Sequence, residues 1–369
     1  MTADTVGGVW TYALELAQAL GRRGVEVTLA TMGGLPTADQ RLAARGVPGL
    51  RVQTSRYKLE WMEDPWDDVA EAGKWLLGLA ETVRPDVVHL NGYAHGALPW
   101  RCPTLVVGHS CVLSWWESVR GGPAPPSWDA YRVAVRRGIR AADLVVAPTV
   151  TMLASLEREY GPLRAGQVVL NGRSAGLFRP RPKDPVILAA GRLWDDAKNV
   201  ATLAAVASRL TWPVAIAGED RHPDGGRARY PNVRLLGRLA PSALADQLGR
   251  AAIYALPARY EPFGLSILEA ALAGCALVLG DRPSLCELWS GAAVFVPPED
   301  PDALEAALKT LITDESGRAS LADRARRRAL TLGPDRMAAS YLAIYRRLIA
   351  QRAAPPTAAG RAATVTLTR

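Results

Sequence analysis

The alternation of short apolar runs with helical patterns constrains this chain most. Runs rich in Val, Ile, Leu and Ala fall at 25–30, 87–90, 104–107, 144–147 and 168–170, and again at 186–190, 214–217, 233–236, 253–256, 276–279 and 293–295. Between many of them lie segments of helical periodicity, at 11–23, 69–83, 128–142, 199–210, 241–250 and 301–313. Continuous apolar strands are typical of parallel sheets covered on both faces, and strand–helix–strand units join parallel neighbours. So many strands would overfill one open sheet, so two sheets are expected. The segment 172–185, rich in Pro, Gly and basic residues, is the expected linker. An amphipathic helix is expected at 335–348, and the Ala/Pro/Thr-rich tail 352–369 reads as disordered.

The 369 residues suffice for two domains, and 49% apolar against 22% charged residues is the balance of a globular chain with a large core. No run approaches the ~18 apolar residues of a membrane span, and the start, Met1 to Gly8, has no signal-peptide pattern. Cys102, Cys111, Cys275 and Cys286 lack metal-ligand spacing and read as small buried residues in a reducing, cytoplasmic setting. The net charge is +8, with arginines at 132, 136, 137, 140, 324, 326, 327 and 328 in helical stretches. Solvated helix faces are the first reading, and peripheral docking on the inner face of an anionic membrane the second. No aromatic pattern accompanies these arginines, so nucleic acid is not expected as a partner. Trp61, Trp66, Trp115 and Trp116 belong to a core, or to an apolar groove for an acceptor or a membrane.

The chemistry gathers where strands should end. After the run 253–256 comes Glu261-Pro-Phe-Gly-Leu-Ser-Ile-Leu-Glu269, with Gly264 ahead of a helix expected from Leu265. Ligands of open parallel sheets sit at such carboxyl ends, free amides at a helix start attract phosphate, and carboxylates accept from hydroxyls. A part-phosphate, part-sugar ligand fits. Ser266-x-x-Glu269 equally fits a capping box. After 186–190 comes Gly191-Arg192, then Lys198 before a helix: a forked donor and a point charge suited to a diphosphate, or two surface cations paired with Asp195 and Asp196. Gly7-Gly8 precedes the first helix and allows close backbone approach. His109 follows the run 104–107 and is placed to face a cleft. The other histidines are His89, His95 and His222. Asp300-Pro-Asp302 reads as a helix cap rather than a metal site.

Taken in order, Gly7-Gly8, Asn171-Gly172 with Phe178 and Pro180, Gly191-Arg192 with Lys198, Leu236-Gly237, Glu261-x7-Glu269 around Phe263-Gly264-Leu265, and Pro283 to Glu287 resemble a retaining glycosyltransferase of family 4, the group 1 type. The similarity spans about 4–348. It implies an α/β fold of two Rossmann-like parallel-sheet domains facing a cleft (GT-B), with a C-terminal helix crossing back to the N-terminal domain. The implied division is an acceptor domain at 1–179 with a truncated first strand, a donor domain at 180–335, the returning helix at 336–351 and the tail at 352–369. The implied donor is a nucleoside-diphosphate sugar, a UDP- or GDP-sugar, and the implied acceptor bears a hydroxyl; neither metal nor cofactor is required. By the same resemblance Glu269 binds the ribose, Glu261 holds a hydroxyl of the donor sugar, and Arg192 and Lys198 stabilise the leaving diphosphate. Gly8, Phe263, Gly264 and Leu265 approach sugar and phosphate, Gly237 and Arg238 meet the base, and His109 lies beside the transferred sugar. Asn91 departs from the pattern, standing where a second histidine is frequent. The alternatives are a GT-B sugar-nucleotide epimerase and a non-catalytic nucleotide-sugar-binding protein.

Overall fold

The structure, a computed structural model, describes residues 1–220 and 230–353. His222 and the tail from 354 onward lie outside the described residues. All the strand pairings are parallel. The first half carries β1 (Thr2–Asp4), β2 (Val27–Met32), β3 (Leu50–Thr54), β4 (Val88–Leu90), β5 (Thr104–Val107), β6 (Leu144–Ala147) and β7 (Gly166–Val168), paired as β1-β2-β3 and β4-β5-β6-β7. Side-chain bonds bridge the two groups: Asn91, just past β4, donates its backbone N–H to Thr2 Oγ1 at 2.9 Å and its amide to Thr2 O at 2.7 Å. The second half carries β8 (Asp184–Ala190), β9 (Val214–Ala217), β10 (Arg234–Gly237), β11 (Ala251–Leu256), β12 (Ala276–Gly280) and β13 (Val294–Val296), in the order β10-β9-β8-β11-β12-β13.

That order is doubly wound. Neighbouring β8 and β11 send their connections to opposite sides, so a crevice opens above their carboxyl ends. Every residue of β11 is buried, and the small ones among Ala-Ala-Ile-Tyr-Ala-Leu let helix Leu265–Leu272 pack close against the sheet. Each large side chain buried there is worth about 1.5–3 kcal/mol.

The last helix, Pro334–Ala353, lays Met337, Tyr341, Ile344 and Leu348 against Trp10, Leu16 and Leu20 of helix Gly8–Gly21. The C-terminal element therefore belongs to the N-terminal core. Its start is pinned by Asp335, which accepts from Arg22 at 3.3 Å and Arg23 at 2.8 Å. Among the described residues no helix is long and apolar enough to cross a membrane. Arg136, Arg137, Arg140, Arg324, Arg327 and Arg328 are exposed.

Several expectations shift. β8 begins at Asp184, which takes Asp184 and Pro185 out of the expected linker. Residues 352 and 353 are helical rather than tail. Cys102 and Cys286 are only half-buried, unlike Cys111 and Cys275. Asp300 does cap its helix, accepting from the Ala303 N–H at 2.9 Å.

Candidate active site

Two segments converge over the carboxyl ends of β8 and β11. After β8 the chain turns through Gly191 and Arg192 into a single turn at Asp196–Lys198, capped by Asp195. Asp195 accepts from the Ala197 N–H at 3.1 Å and from Arg192 Nη2 at 2.8 Å. Burial would raise its pKa, but Lys198 and Arg192 outweigh that and hold it below the usual carboxylate range. Lys198 reaches across to Glu261, with Nζ 2.6 Å from Oε2, and both side chains are largely buried. Of the surface pairs expected from the sequence, Arg192–Asp195 forms, whereas Asp196 pairs with Arg120 at 2.8 Å. The buried Arg192 Nε has no hydrogen-bond partner among the described residues, and the guanidinium lies 5.3 Å from the Trp194 ring.

Glu261 sits in a braced loop. Its carbonyl accepts from Ser284 Oγ at 2.6 Å, and its second carboxylate oxygen from the Phe263 N–H at 3.4 Å. Gly264 adopts φ +83°, a left-handed conformation that ends the loop and begins helix Leu265–Leu272. A β-carbon there would also press to 2.6 Å from Ile267 Cδ1. The Phe263 ring is buried in the core, so only its backbone is placed to meet a ligand.

The capping-box option for Ser266 and Glu269 is not realised. The N-cap, Gly264, has no side-chain cap, and Ser266 Oγ instead bonds Tyr254 OH at 2.8 Å. Glu269 is buried and accepts from Arg173 Nε at 2.7 Å. Burial pushes its pKa up and Arg173 pulls it partly back.

The N-terminal domain supplies the facing wall. Asp4, at the end of β1, accepts from the Val6 and Gly7 N–H groups, each at 3.0 Å, and so shapes the Gly7-Gly8 turn. A β-carbon on Gly7 would lie 3.1 Å from Arg192 Nη1, and one on Gly8 would lie 3.3 Å from Leu265 Cδ1. The two glycines thus touch the cation after β8 and the helix start after β11.

His109 follows β5 and bonds Asn91 Oδ1 through Nε2 at 2.8 Å. His89, at the centre of β4, bonds the same oxygen at 3.1 Å. Because the Asn91 amide nitrogen is spent on Thr2 O, Oδ1 can only accept. Both imidazoles therefore carry hydrogen on Nε2. His89 Nδ1 then accepts from Tyr345 OH at 2.7 Å, and among the described residues no hydrogen bond engages His109 Nδ1. Burial lowers the His109 pKa to about 3, so this ring is neutral across the physiological range.

Gly237, at φ +65° and the last residue of β10, and Arg238 just past it are exposed, and the Gly237 carbonyl accepts from the Gly218 N–H at 2.8 Å. The structure thus gathers Arg192, Lys198, Glu261, Gly264 and Leu265 opposite Gly8. Glu269 lies one helix turn deeper, His109 on the facing wall and Gly237–Arg238 at the rim.

Sequence reasoning missed the groups that join the walls. Tyr260 OH accepts from the Cys111 N–H at 3.0 Å, Trp115 Nε1 donates to Asp195 Oδ1 at 3.1 Å, and Thr149 Oγ1 donates to Pro262 O at 3.1 Å. Glu287 accepts from the Val150 N–H, the Thr151 N–H and Thr151 Oγ1 at 2.8–3.0 Å. Trp115 stands among the tryptophans noted from the sequence, but no local pattern gives its partner.

Residues 6–174 match the profile of Glycosyltransferase Family 4, and residues 184–314 that of Glycosyl transferases group 1. The chain is a family 4 glycosyltransferase. This glycosyltransferase is 27% identical to the D-inositol 3-phosphate glycosyltransferase of Kineococcus radiotolerans, over 94% of its own length and 92% of that protein's. It is 30% identical to the glycogen synthase of Mycobacterium tuberculosis, over 68% of its own length and 66% of the other's. The fold is shared with sucrose-phosphate synthase of Thermosynechococcus elongatus, at a TM-score of 0.79 and 19% identity over 95% of this chain and 99% of that one. Anabaena HepE in complex with UDP-glucose superposes at 0.74, with 17% identity over 94% and 99% of the chains. The glycosyltransferase thus has the two-domain GT-B architecture, with its polar groups lining the cleft.

Proposed function

We propose that this enzyme transfers a sugar from a UDP- or GDP-sugar to a hydroxyl acceptor with retention of configuration, Arg192 and Lys198 stabilising the departing diphosphate. The observation that carries this reading is the meeting of Arg192 and the start of helix Leu265–Leu272 with the Gly7-Gly8 turn, where a β-carbon would crowd the Arg192 and Leu265 side chains at 3.1 and 3.3 Å. Bare backbone against a cation and free helix amides is an arrangement suited to a phosphate. Anabaena HepE, which shares the fold, forms a complex with UDP-glucose, and this favours uracil as the first base to try.

In the reaction, the bond between the sugar C1 and the phosphate oxygen breaks while negative charge grows on the diphosphate. Fixed cations and helix amides stabilise that charge more in the transition state than in the ground state. The acceptor oxygen bonds C1 on the face that the phosphate leaves, and its proton passes to a phosphate oxygen. Lys198 stands between Glu261 and the place of that diphosphate, so it shares its charge between them. Glu261 orients a sugar hydroxyl, Glu269 the ribose, and the bare His109 Nδ1 accepts from the transferred sugar.

The test is turnover of UDP-glucose and GDP-mannose with a mixed panel of sugar, polyol and lipid acceptors, in excess chelator. Transfer with the product anomer matching the donor supports the reading. Strict metal dependence, inversion, or epimerisation of the donor without an acceptor contradicts it.

A further inference from the structure

Three charged side chains meet where the linker leaves the N-terminal domain. Arg173 Nη1 donates to Glu15 on helix Gly8–Gly21, and Arg173 Nε donates to Glu269 Oε1 on helix Leu265–Leu272 at 2.7 Å. The side-chain exposures are 13% for Arg173, 8% for Glu15 and 10% for Glu269, so water screens this triad little. Arg173 is held from other sides too. Its guanidinium lies 4.9 Å from the Phe178 ring, and its backbone N–H donates to Leu332 O at 3.0 Å, just ahead of the last helix.

Two carboxylates against one guanidinium leave a negative charge uncompensated, and buried ion groups are seldom the most stable filling of such a space. The arrangement makes better sense as the placement of an acceptor. Arg173 occupies only Oε1 of Glu269, and among the described residues no donor reaches Oε2. We propose that Arg173 is a positioning residue: anchored on Glu15, it grips one oxygen of Glu269 and leaves the other free for the ribose hydroxyls of the donor. This rests on the reading of Glu269 as the ribose acceptor.

The electrostatics run the same way. Burial raises the Glu269 pKa, Arg173 lowers it, and the Glu15 charge raises it again. The Tyr254 phenol on β11 also lies within reach of the Glu269 charge, and Arg326 donates to Leu272 O at the far end of the helix. A protonated Glu269 would lose acceptor capacity. Without Arg173 the carboxyl stays protonated to higher pH, so ribose recognition gains an acid limb that the wild type lacks over the same range.

The experiment is calorimetric titration of UDP and its 2′,3′-dideoxy analogue (GDP and its analogue if the wild type prefers guanosine) from pH 5.5 to 8.5. The wild type should favour the ribose form. Arg173→Ala should bind UDP about tenfold more weakly at pH 6, recover toward pH 8.5, and lose most of its preference over the dideoxy form. If that variant does not fold, Arg173→Lys should show the same alkaline shift in smaller measure. Unchanged pH profiles and intact ribose preference in the variants that fold would overturn the inference while sparing the function. A wild type that binds the diphosphate but ignores the ribose would overturn this inference and the role of Glu269, leaving the diphosphate site standing. A wild type that binds no nucleoside diphosphate would overturn both the inference and the function.

Discussion

Lys198 and Glu261 form a largely buried pair 2.6 Å apart, and each keeps the other from being a stranded charge. Removing one partner of such a pair costs about 3 kcal/mol, whereas neutralising both costs much less. Lys198→Met should therefore lower the melting temperature and abolish transfer. The double variant Lys198→Met/Glu261→Gln should regain most of the stability with no transfer, as read by thermal melts beside a transfer assay. If Lys198→Met matches the wild type in both readouts, neither residue holds the place assigned to it. His89 and His109 add a pH effect. Burial lowers both pKa values, that of His109 to about 3, so the unfolded chain binds protons first as pH falls below ~6.5. Stability is thus fully present above that value and lost on acidification, by up to about 1.4 kcal/mol per pH unit for each histidine. Urea titrations at pH 7.5 and 5.5 should show this loss in the wild type and a smaller one in His109→Gln; equal losses would contradict a His109 kept neutral by burial.

Among the elements, helix Leu265–Leu272 carries Leu265 and Glu269 and depends on a left-handed Gly264 for its start. Gly264→Ala should cost about 1–2 kcal/mol from backbone strain, with Ile267 shifting to admit the methyl group. It should weaken diphosphate binding as well, because the helix amides turn with the cap; denaturation and binding measured together check this. The helix itself was legible in the sequence, as were β5, β6 and β9 to the residue, because buried parallel strands write themselves as unbroken apolar runs. β1, at three residues, left only the expectation of a truncated strand ahead of Gly7, and β3 escaped notice because a half-exposed edge strand offers only Leu50 and Val52 as apolar marks. Helix Ala38–Arg45 was missed for its polarity, although its capping box, Thr37 with Gln40, stands in the sequence. Arg192, Lys198 and Glu261 could be singled out because each lies in a loop that follows an apolar run. Arg173 read only as linker charge: its partner Glu15 is 158 residues away, and no local period encodes that contact.

For the whole molecule, the two domains meet through polar contacts that end on the loop carrying Glu261. Tyr260 and Pro262, flanking Glu261, are bonded to Cys111 and Thr149, and Glu287 caps helix Val150–Tyr160 from the opposite domain. These contacts tie the placement of Glu261 to the meeting of the two domains. Glu287→Ala should cost about 1 kcal/mol as a lost cap, raise the donor KM more than it lowers kcat, and increase the radius of gyration in small-angle scattering; an unchanged radius and KM would show the contact to be incidental. The most direct measurement of all is calorimetric titration of UDP and GDP into the wild type and Arg192→Ala/Lys198→Ala. Losing both cations should weaken the preferred diphosphate by about a hundredfold, at 1.5–3 kcal/mol for each charge-assisted bond discounted for non-additivity. Equal affinity in the two proteins would contradict a diphosphate held between these side chains and the helix start.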